Sequence, residues 1–465
     1  MQRRRRFFFL LLVAAGLSHV PRPASAQQNI LAFDSLQNAI RADMSAAGVP
    51  GAAVAVVSGD RVLFAKAFGV SSTESGAPVT TDMLFRIGPL TRVFTSTTLL
   101  MLEEQGRIAV NAPIRECIAS LPARIAQITP HQLLSETAGF GASEFAVGAL
   151  DETAIGSRLH MVSERDLFTT PGHVYSQSAI GYTIAAALIE VAAAEPFADV
   201  VHMRVFQPLG MKASTFRTGV AVTHPFALGH TGDDARAVVL RPVPENTLFA
   251  PAELMYSSID DLVRFVTAFM SGGQIDGRNA LSQGVIAKLT GRYAPVPSDG
   301  AGATGGYGLV SKTHRGVRVL EQDGSTPGFY AALRIAPDHQ FAVIVLANRD
   351  GARFDRTTET AMELLVPLSA PVANKAAPQR WTAADRTQLP GHYQNGSTIL
   401  EITADARGLA FVQSGEKRTI DKIADTRFYA AATQTTPAIE FTAIRGANGQ
   451  VAYLHAGSRA FARLR

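Results

Sequence analysis

Leu84-Phe85-Arg86-Ile87-Gly88-Pro89-Leu90-Thr91-Arg92-Val93-Phe94-Thr95-Ser96 runs directly into Thr97-Thr98-Leu99-Leu100-Met101-Leu102-Glu103-Glu104-Gln105-Gly106. Apolar residues at Val93, Phe94, Leu99, Leu100 and Leu102 keep a helical period, and Gly106 supplies the stop. The spacing predicts a helix opening just after Gly88. Pro89 suits its first position, because the N–H it lacks would have had no partner within the helix. Arg92 follows three residues later and projects from the same helix face as Pro89.

The first residues carry a different signal. Arg3-Arg4-Arg5-Arg6, an apolar run from Phe7 to Leu17 and then Ala24-Ser25-Ala26 read as a secretory signal peptide, residues 1–26, cut after Ala26. The apolar run is too short to span a bilayer. The expected location is therefore the periplasm or the medium of a bacterium, with no transmembrane anchor in the mature chain. Arg3 to Arg6 and Arg22 precede the cut. Without them the 43 basic residues fall to 38, against 39 acidic ones, so the nominal +4 becomes −1. That balance argues against nucleic acid as a partner. Cys117 is the only cysteine, so no internal disulfide can form. The histidines show no metal-ligand spacing, and the chain has no Gly-x-Ser-x-Gly elbow, no His-Glu-x-x-His and no Gly-rich phosphate loop. Neither a cofactor nor a metal is expected.

The stretch from Phe85 to Thr95 resembles the nucleophile helix of the serine β-lactamase, penicillin-binding protein and carboxylesterase superfamily, especially its class C-like branch. The pattern there is Phe-Arg-Ile-Gly-Ser-x-x-Lys-x-Phe-Thr. The resemblance implies an acylated Ser at position 89 and a Lys that takes its proton at position 92. Pro89 and Arg92 stand there instead. Proline has neither hydroxyl nor N–H, so the nucleophile and its oxyanion donor vanish together, and one such donor alone is worth ~10²–10³ in rate. Arginine stays protonated and cannot act as the base.

Further motifs of the same superfamily follow in order. Leu133-Leu134-Ser135-Glu136-Thr137-Ala138-Gly139 resembles its Leu-Leu-x-His-Thr-x-Gly turn, with Glu136 in place of the His. Pro171-Gly172 and Gly181-Tyr182 frame the second catalytic element, which places the base/acid Tyr at Gln177 and the substrate-positioning Asn at Ala179. A two-residue slip would instead make Tyr175-Ser176-Gln177 a shifted copy. In Glu321-Gln322-Asp323-Gly324-Ser325-Thr326-Pro327-Gly328-Phe329, the third-motif His or Lys falls on Gln322, and the Ser325 N–H would be the second oxyanion donor. That segment is expected to join strands Val317–Leu320 and Tyr330–Ile335. Ser414-Gly415-Glu416-Lys417 and Lys312-Thr313-His314 are chance echoes of catalytic motifs.

The implied fold is α/β of the β-lactamase/transpeptidase type: an antiparallel sheet flanked by helices, with a helical subdomain, over 27–368. Helix Ile30–Ala47, a hairpin of Gly51–Ser58 and Val62–Gly69 around Gly59-Asp60, and a strand Ala342–Asn348 are expected within it. An Ala/Pro-rich linker, 369–380, leads to a small antiparallel β-domain, 381–465, which resembles the lipocalin-like tails of this superfamily.

The first functional reading is a catalytically inactive member that binds a ligand or partner through the old cleft. Arg92, Gln177, Gln322 and Ser325 would suit a small acyl or carboxylate ligand, held bidentately by the guanidinium. In the bland variant, Arg92 pairs with Asp323 or another local acid and plugs the pocket. The second reading is a hydrolase or acyltransferase with a relocated nucleophile at Thr91, Ser176 or Ser178. The third is a structural envelope protein. The sequence names no protein partner.

Overall fold

The computed structural model describes residues 24–142, 148–149, 155–156, 159–232, 236–300, 302–371, 378–405, 408–413, 415–433 and 438–464. The expected signal peptide and Ser414 lie outside them, apart from the backbone of 24–26. Helix α1 (Ala24–Ala46) leads through Gly48 to strands β1 (Gly51–Ser58) and β2 (Arg61–Gly69), the hairpin expected around Gly59. Helix α2 (Thr91–Glu104) is entered by a single 3₁₀ turn, Gly88–Leu90, and stops before Gly106 in the left-handed region. Helices α3 (Ala179–Ala193) and α4 (Ile259–Met270) follow. The Ser258 hydroxyl caps α4 by accepting from the Asp261 N–H at 3.1 Å, as its position before an acidic first turn requires.

Strands β3 (Ala294–Pro295), β4 (Thr304–Gly305), β5 (Val310–His314), β6 (Val317–Thr326), β7 (Phe329–Ala336) and β8 (Phe341–Ala347) complete the sheet, and helix α5 (Asp355–Leu365) closes the main body. The eight strands run antiparallel in the order β2-β1-β8-β7-β6-β5-β4-β3. Period-two alternation sorts β1 between two cores. Ala52, Val54 and Val56 meet Leu36, Ile40 and Phe354 on one face, whereas Ala53, Ala55 and Val57 join the core of α2, α3 and α4 on the other.

Two local expectations change. Helix α2 is not amphipathic at its start: Thr91, Arg92, Thr95, Ser96, Thr97 and Thr98 are buried along with the apolar residues. Their hydroxyls are satisfied locally or across the core, as in Thr97 to Val93 O at 2.7 Å and Thr95 to Pro251 O at 2.6 Å. Residues 321–326 do not form a connection. Strand β6 continues to Thr326 and turns at Pro327-Gly328 into β7. Its polar residues are tolerated because neighbouring strands pair them: Glu321 with Lys312 and Arg334, Asp323 with Arg334.

The C-terminal unit is a closed antiparallel barrel of β9 (Gly391–Asn395), β10 (Thr398–Asp405), β11 (Gly408–Gln413), β12 (Glu416–Lys422), β13 (Arg427–Ala430), β14 (Ile439–Arg445), β15 (Val451–Ala456) and β16 (Arg459–Arg463). Closure leaves no strand edge unpaired. Tyr393, Leu400, Phe411, Phe428, Phe441 and Leu454 fill its centre. The barrel leans on the main body through the end of β9 and the β15–β16 hairpin. Asn395 donates to the Ser176 hydroxyl at 3.1 Å, the Gln177 N–H donates to Ser458 O at 2.9 Å, and His455 Nδ1 lies 3.0 Å from the Ser298 hydroxyl.

His455 is fully buried, and its Nε2 has no hydrogen-bond partner. Burial pushes its pKa down to about 4. An unfolded histidine takes up its proton near 6.5 while the folded one refuses it until about 4, so stability is lost as pH falls through that window. The loss reaches about 3 kcal/mol by pH 4. Thermal unfolding of the protein and of His455→Gln at pH 7 and pH 4 measures it. The wild type should lose more stability on acidification than the variant, and equal losses would refute the assignment.

Candidate functional site

The 3₁₀ turn sets Pro89 against β6. A Cβ added to Gly324 would lie 2.1 Å from Pro89 Cδ and 2.3 Å from Cγ, so the pyrrolidine ring fills the space above a glycine that admits no side chain. Between position 89 and β6 there is packed hydrocarbon.

Arg92, one turn on, is 3% exposed. Its Nη1 donates to Glu136 Oε1 at 2.8 Å and its Nη2 to Glu253 Oε1 at 3.4 Å, with the guanidinium 5.5 Å from the centre of the Tyr182 ring. The local acid that pairs with Arg92 is thus Glu136, supported by Glu253, and not Asp323, which Arg334 and the Tyr330 hydroxyl hold. The guanidinium is turned inward rather than presented as an open fork to the cleft.

Glu136 reaches Arg92 from an unusual backbone. It sits just past the helical turn Pro130–Leu134 at φ +58°, a region few non-glycine residues adopt. Its Oε2 accepts from the Ser178 N–H at 2.9 Å, and its carbonyl accepts from the Ser176 N–H at 2.8 Å. The Glu136 carboxyl is pushed up to about 7, first by burial, with Arg92 and the Ser178 N–H opposing. The Arg92 guanidinium is held above its ordinary value, because Glu136 and Glu253 outweigh its burial. A buried charge of this kind persists only when paired.

The other expected site residues divide. Gln177 and Gln322 line one small cavity of about 150 Å³ together with Tyr175, Asp299, Asp323, Gly457 and Ser458. Gln177 Nε2 donates to the Tyr175 hydroxyl at 3.1 Å, and Gln322 Nε2 donates to Asp323 O at 2.8 Å. Ala179 opens α3 and is buried. Ser325 is exposed, stands opposite Tyr330 in the ladder, and its hydroxyl accepts from the Gly351 N–H at 2.8 Å. The alternative nucleophiles are occupied: Thr91 accepts from the Met255 N–H, Ser176 from Asn395 and the Ala460 N–H, and Ser178 donates to Gly141 O. Among the described residues no lysine or histidine is hydrogen-bonded to any of the three. A larger, mostly apolar cavity of about 380 Å³ behind Arg86 includes none of the expected site residues.

Three participants escaped the sequence reading. Glu253 and Asp299 belong to no motif. Arg459 comes from the barrel, and its pKa is lowered first by burial and then by Arg92, with Glu253 and Glu136 opposing. Only the closed barrel places that residue beside a helix more than 350 positions earlier.

The beta-lactamase family model matches residues 36–366. The chain belongs to the beta-lactamase family. Among curated relatives it is 27% identical over 333 residues to penicillin-binding protein 4 of Amycolatopsis lactamdurans, covering 69% of this chain and 86% of that one. It is also 27% identical over 257 residues to esterase EstB of Burkholderia gladioli, covering 47% and 65%. Among solved structures, one titled SurE superposes with a TM-score of 0.77 at 23% identity, covering 95% of this chain and all of that one. The octameric penicillin-binding protein homologue from Pyrococcus abyssi gives 0.66 at 19% identity, covering 92% and 99%. These likenesses place this beta-lactamase-family chain in its fold, barrel included, and say nothing of its chemistry.

The Pro89–Gly324 contact yields a direct test. Gly324→Ala should destabilise the protein by about 1–3 kcal/mol through overpacking. Adding Pro89→Gly should recover part of that loss, so that the double variant is more stable than the sum of the single effects. Denaturant unfolding of the four proteins reads this, and strict additivity would show that the ring does not occupy the space.

Proposed function

We propose that this chain is a catalytically silent member of the beta-lactamase family, exported by its N-terminal segment, that binds a small polar ligand in the remnant of the cleft between Gln177 and Gln322. The observation that carries the reading is the Arg92–Glu136–Glu253 cluster. A proton-accepting lysine is replaced by a buried cation that cannot deprotonate, and two carboxylates hold it away from position 89. Pro89 removes the hydroxyl and one oxyanion donor at the same place. The cavity beside it survives and keeps polar walls. Arg92 is not presented to the cavity as a fork for a carboxylate, since Nη1 and Nη2 are engaged by Glu136 and Glu253 and the unpartnered Nε is buried.

Export rests on the Arg3–Arg6, Phe7–Leu17 and Ala24-Ser25-Ala26 pattern. Among the described residues no helix is long and apolar enough to cross a membrane.

Incubation with a penicillin, a p-nitrophenyl ester and a fluorophosphonate, followed by intact-protein mass measurement, tests the silence. The expected mass is unchanged, and Pro89→Ser alone should leave it so, because Arg92 still cannot take the proton and residues of one catalytic unit do not act singly. An adduct mapped to a serine or threonine of the unaltered chain would overturn the proposal.

A further inference from the structure

The small cavity between Gln177 and Gln322 has a definite charge. Its wall carries Asp299, Glu321 and Asp323, and no basic residue lines it. Glu321 is paired with Lys312 at 2.5 Å and with Arg334 at 3.1 Å, and Arg334 also holds Asp323 at 2.6 Å. Two cations thus balance two anions. The deeper cluster balances as well, with Arg92 and Arg459 against Glu136 and Glu253. Asp299 is left over. Among the described residues no cation approaches its exposed carboxylate within 4 Å, and the neighbouring Ser298 hydroxyl, 3.4 Å away, has the Gly457 carbonyl as a nearer acceptor for its one proton.

Two nearly buried side chains face the same space with unspent hydrogen bonds. Gln322 is 4% exposed and spends its amide donor on Asp323 O, while its carbonyl oxygen accepts nothing from the described residues. Tyr175 is 3% exposed and accepts from Gln177 Nε2, while its own phenolic proton goes to no described acceptor. Burial holds that phenol far above its ordinary pKa, so the proton stays in place. Each side chain keeps one hydrogen-bonding position open to the cavity, which a ligand seated there can pair.

Deepening the reading of this cleft as a binding site, we propose that the cavity takes a small primary ammonium group flanked by a neutral carbonyl, as in an amino-acid amide or the amino terminus of a peptide. The ammonium donates to Asp299 and to the Gln322 carbonyl oxygen, and the ligand carbonyl accepts the Tyr175 proton. The Gly457–Ser458 turn of the barrel forms the cavity's outer rim, so the barrel is part of the site. No covalent step is involved.

Isothermal titration of the full chain with glycinamide, N-acetylglycinamide and acetate tests this. Glycinamide alone should bind. Asp299→Asn should weaken it at least about tenfold, the equivalent of one lost charged contact, with an unchanged melting temperature, because the Asp299 side chain lies at an exposed position. Acetate or N-acetylglycinamide binding as tightly as glycinamide would overturn the proposal, as would an unaffected Asp299→Asn. So would wild type giving no heat with glycinamide at about 10 mM, beyond any useful affinity. A fluorophosphonate adduct would sink catalytic silence and leave this cavity chemistry standing. Missing amine binding without any adduct would sink this inference alone.

Discussion

A guanidinium that cannot shed its proton must meet a carboxylate once it is buried, and the Arg92–Glu136 pair answers that constraint. Desolvating either partner alone would cost several kcal/mol. The pair therefore ties together three segments distant in sequence: α2, the turn after Pro130–Leu134, and the extended run Ser176–Ser178 that Glu136 also fastens through its second oxygen and its carbonyl. The left-handed backbone at Glu136 is the local cost of aiming that carboxylate inward. The cation at position 92 and the anion at position 136 are thus complementary within the structure.

Around this pair the rest of the site follows from packing. Pro89 begins the helical turn well and in doing so lays its ring on Gly324 of β6. The cleft is not erased, because Gln177 and Gln322 stand apart from that contact and the barrel hairpin roofs the gap. The barrel is accordingly more than an appended tail. Arg459 adds a second cation to the buried cluster, and His455 wedges a neutral imidazole against Ser298.

What the sequence made legible was local. The stop at Gly106 and the Gly59-Asp60 hairpin each depend on residues within one turn of each other, and each stands in the structure. The run from Glu321 to Thr326, expected as a connection, is strand instead. Only the cross-strand partners Lys312 and Arg334 make it a strand. That position 89 carries no hydroxyl and position 92 a guanidinium is plain from the sequence, since neither fact needs coordinates. The fate of Arg92 was not readable. Whether an arginine opens to a cleft or closes on an acid depends on Glu253, 161 residues away, and on a φ value that no propensity assigns to glutamate. Asp299 and Arg459 were invisible for the same reason, because long-range pairing leaves no periodic trace.

The central claim is that the Arg92–Glu136 pair is one energetic unit. A double-mutant cycle with Arg92→Met and Glu136→Leu, read by denaturant unfolding of the four proteins, measures that coupling directly. Glu136→Leu strands the Arg92 charge and should destabilise by about 3–5 kcal/mol, Arg92→Met should cost less because the Glu136 carboxyl then takes up a proton, and the double variant should lie near the wild type, giving a coupling above about 2 kcal/mol. Coupling below about 0.5 kcal/mol, with each single change mild, would mean that water or another residue satisfies these charges and that the pair does not organise the site.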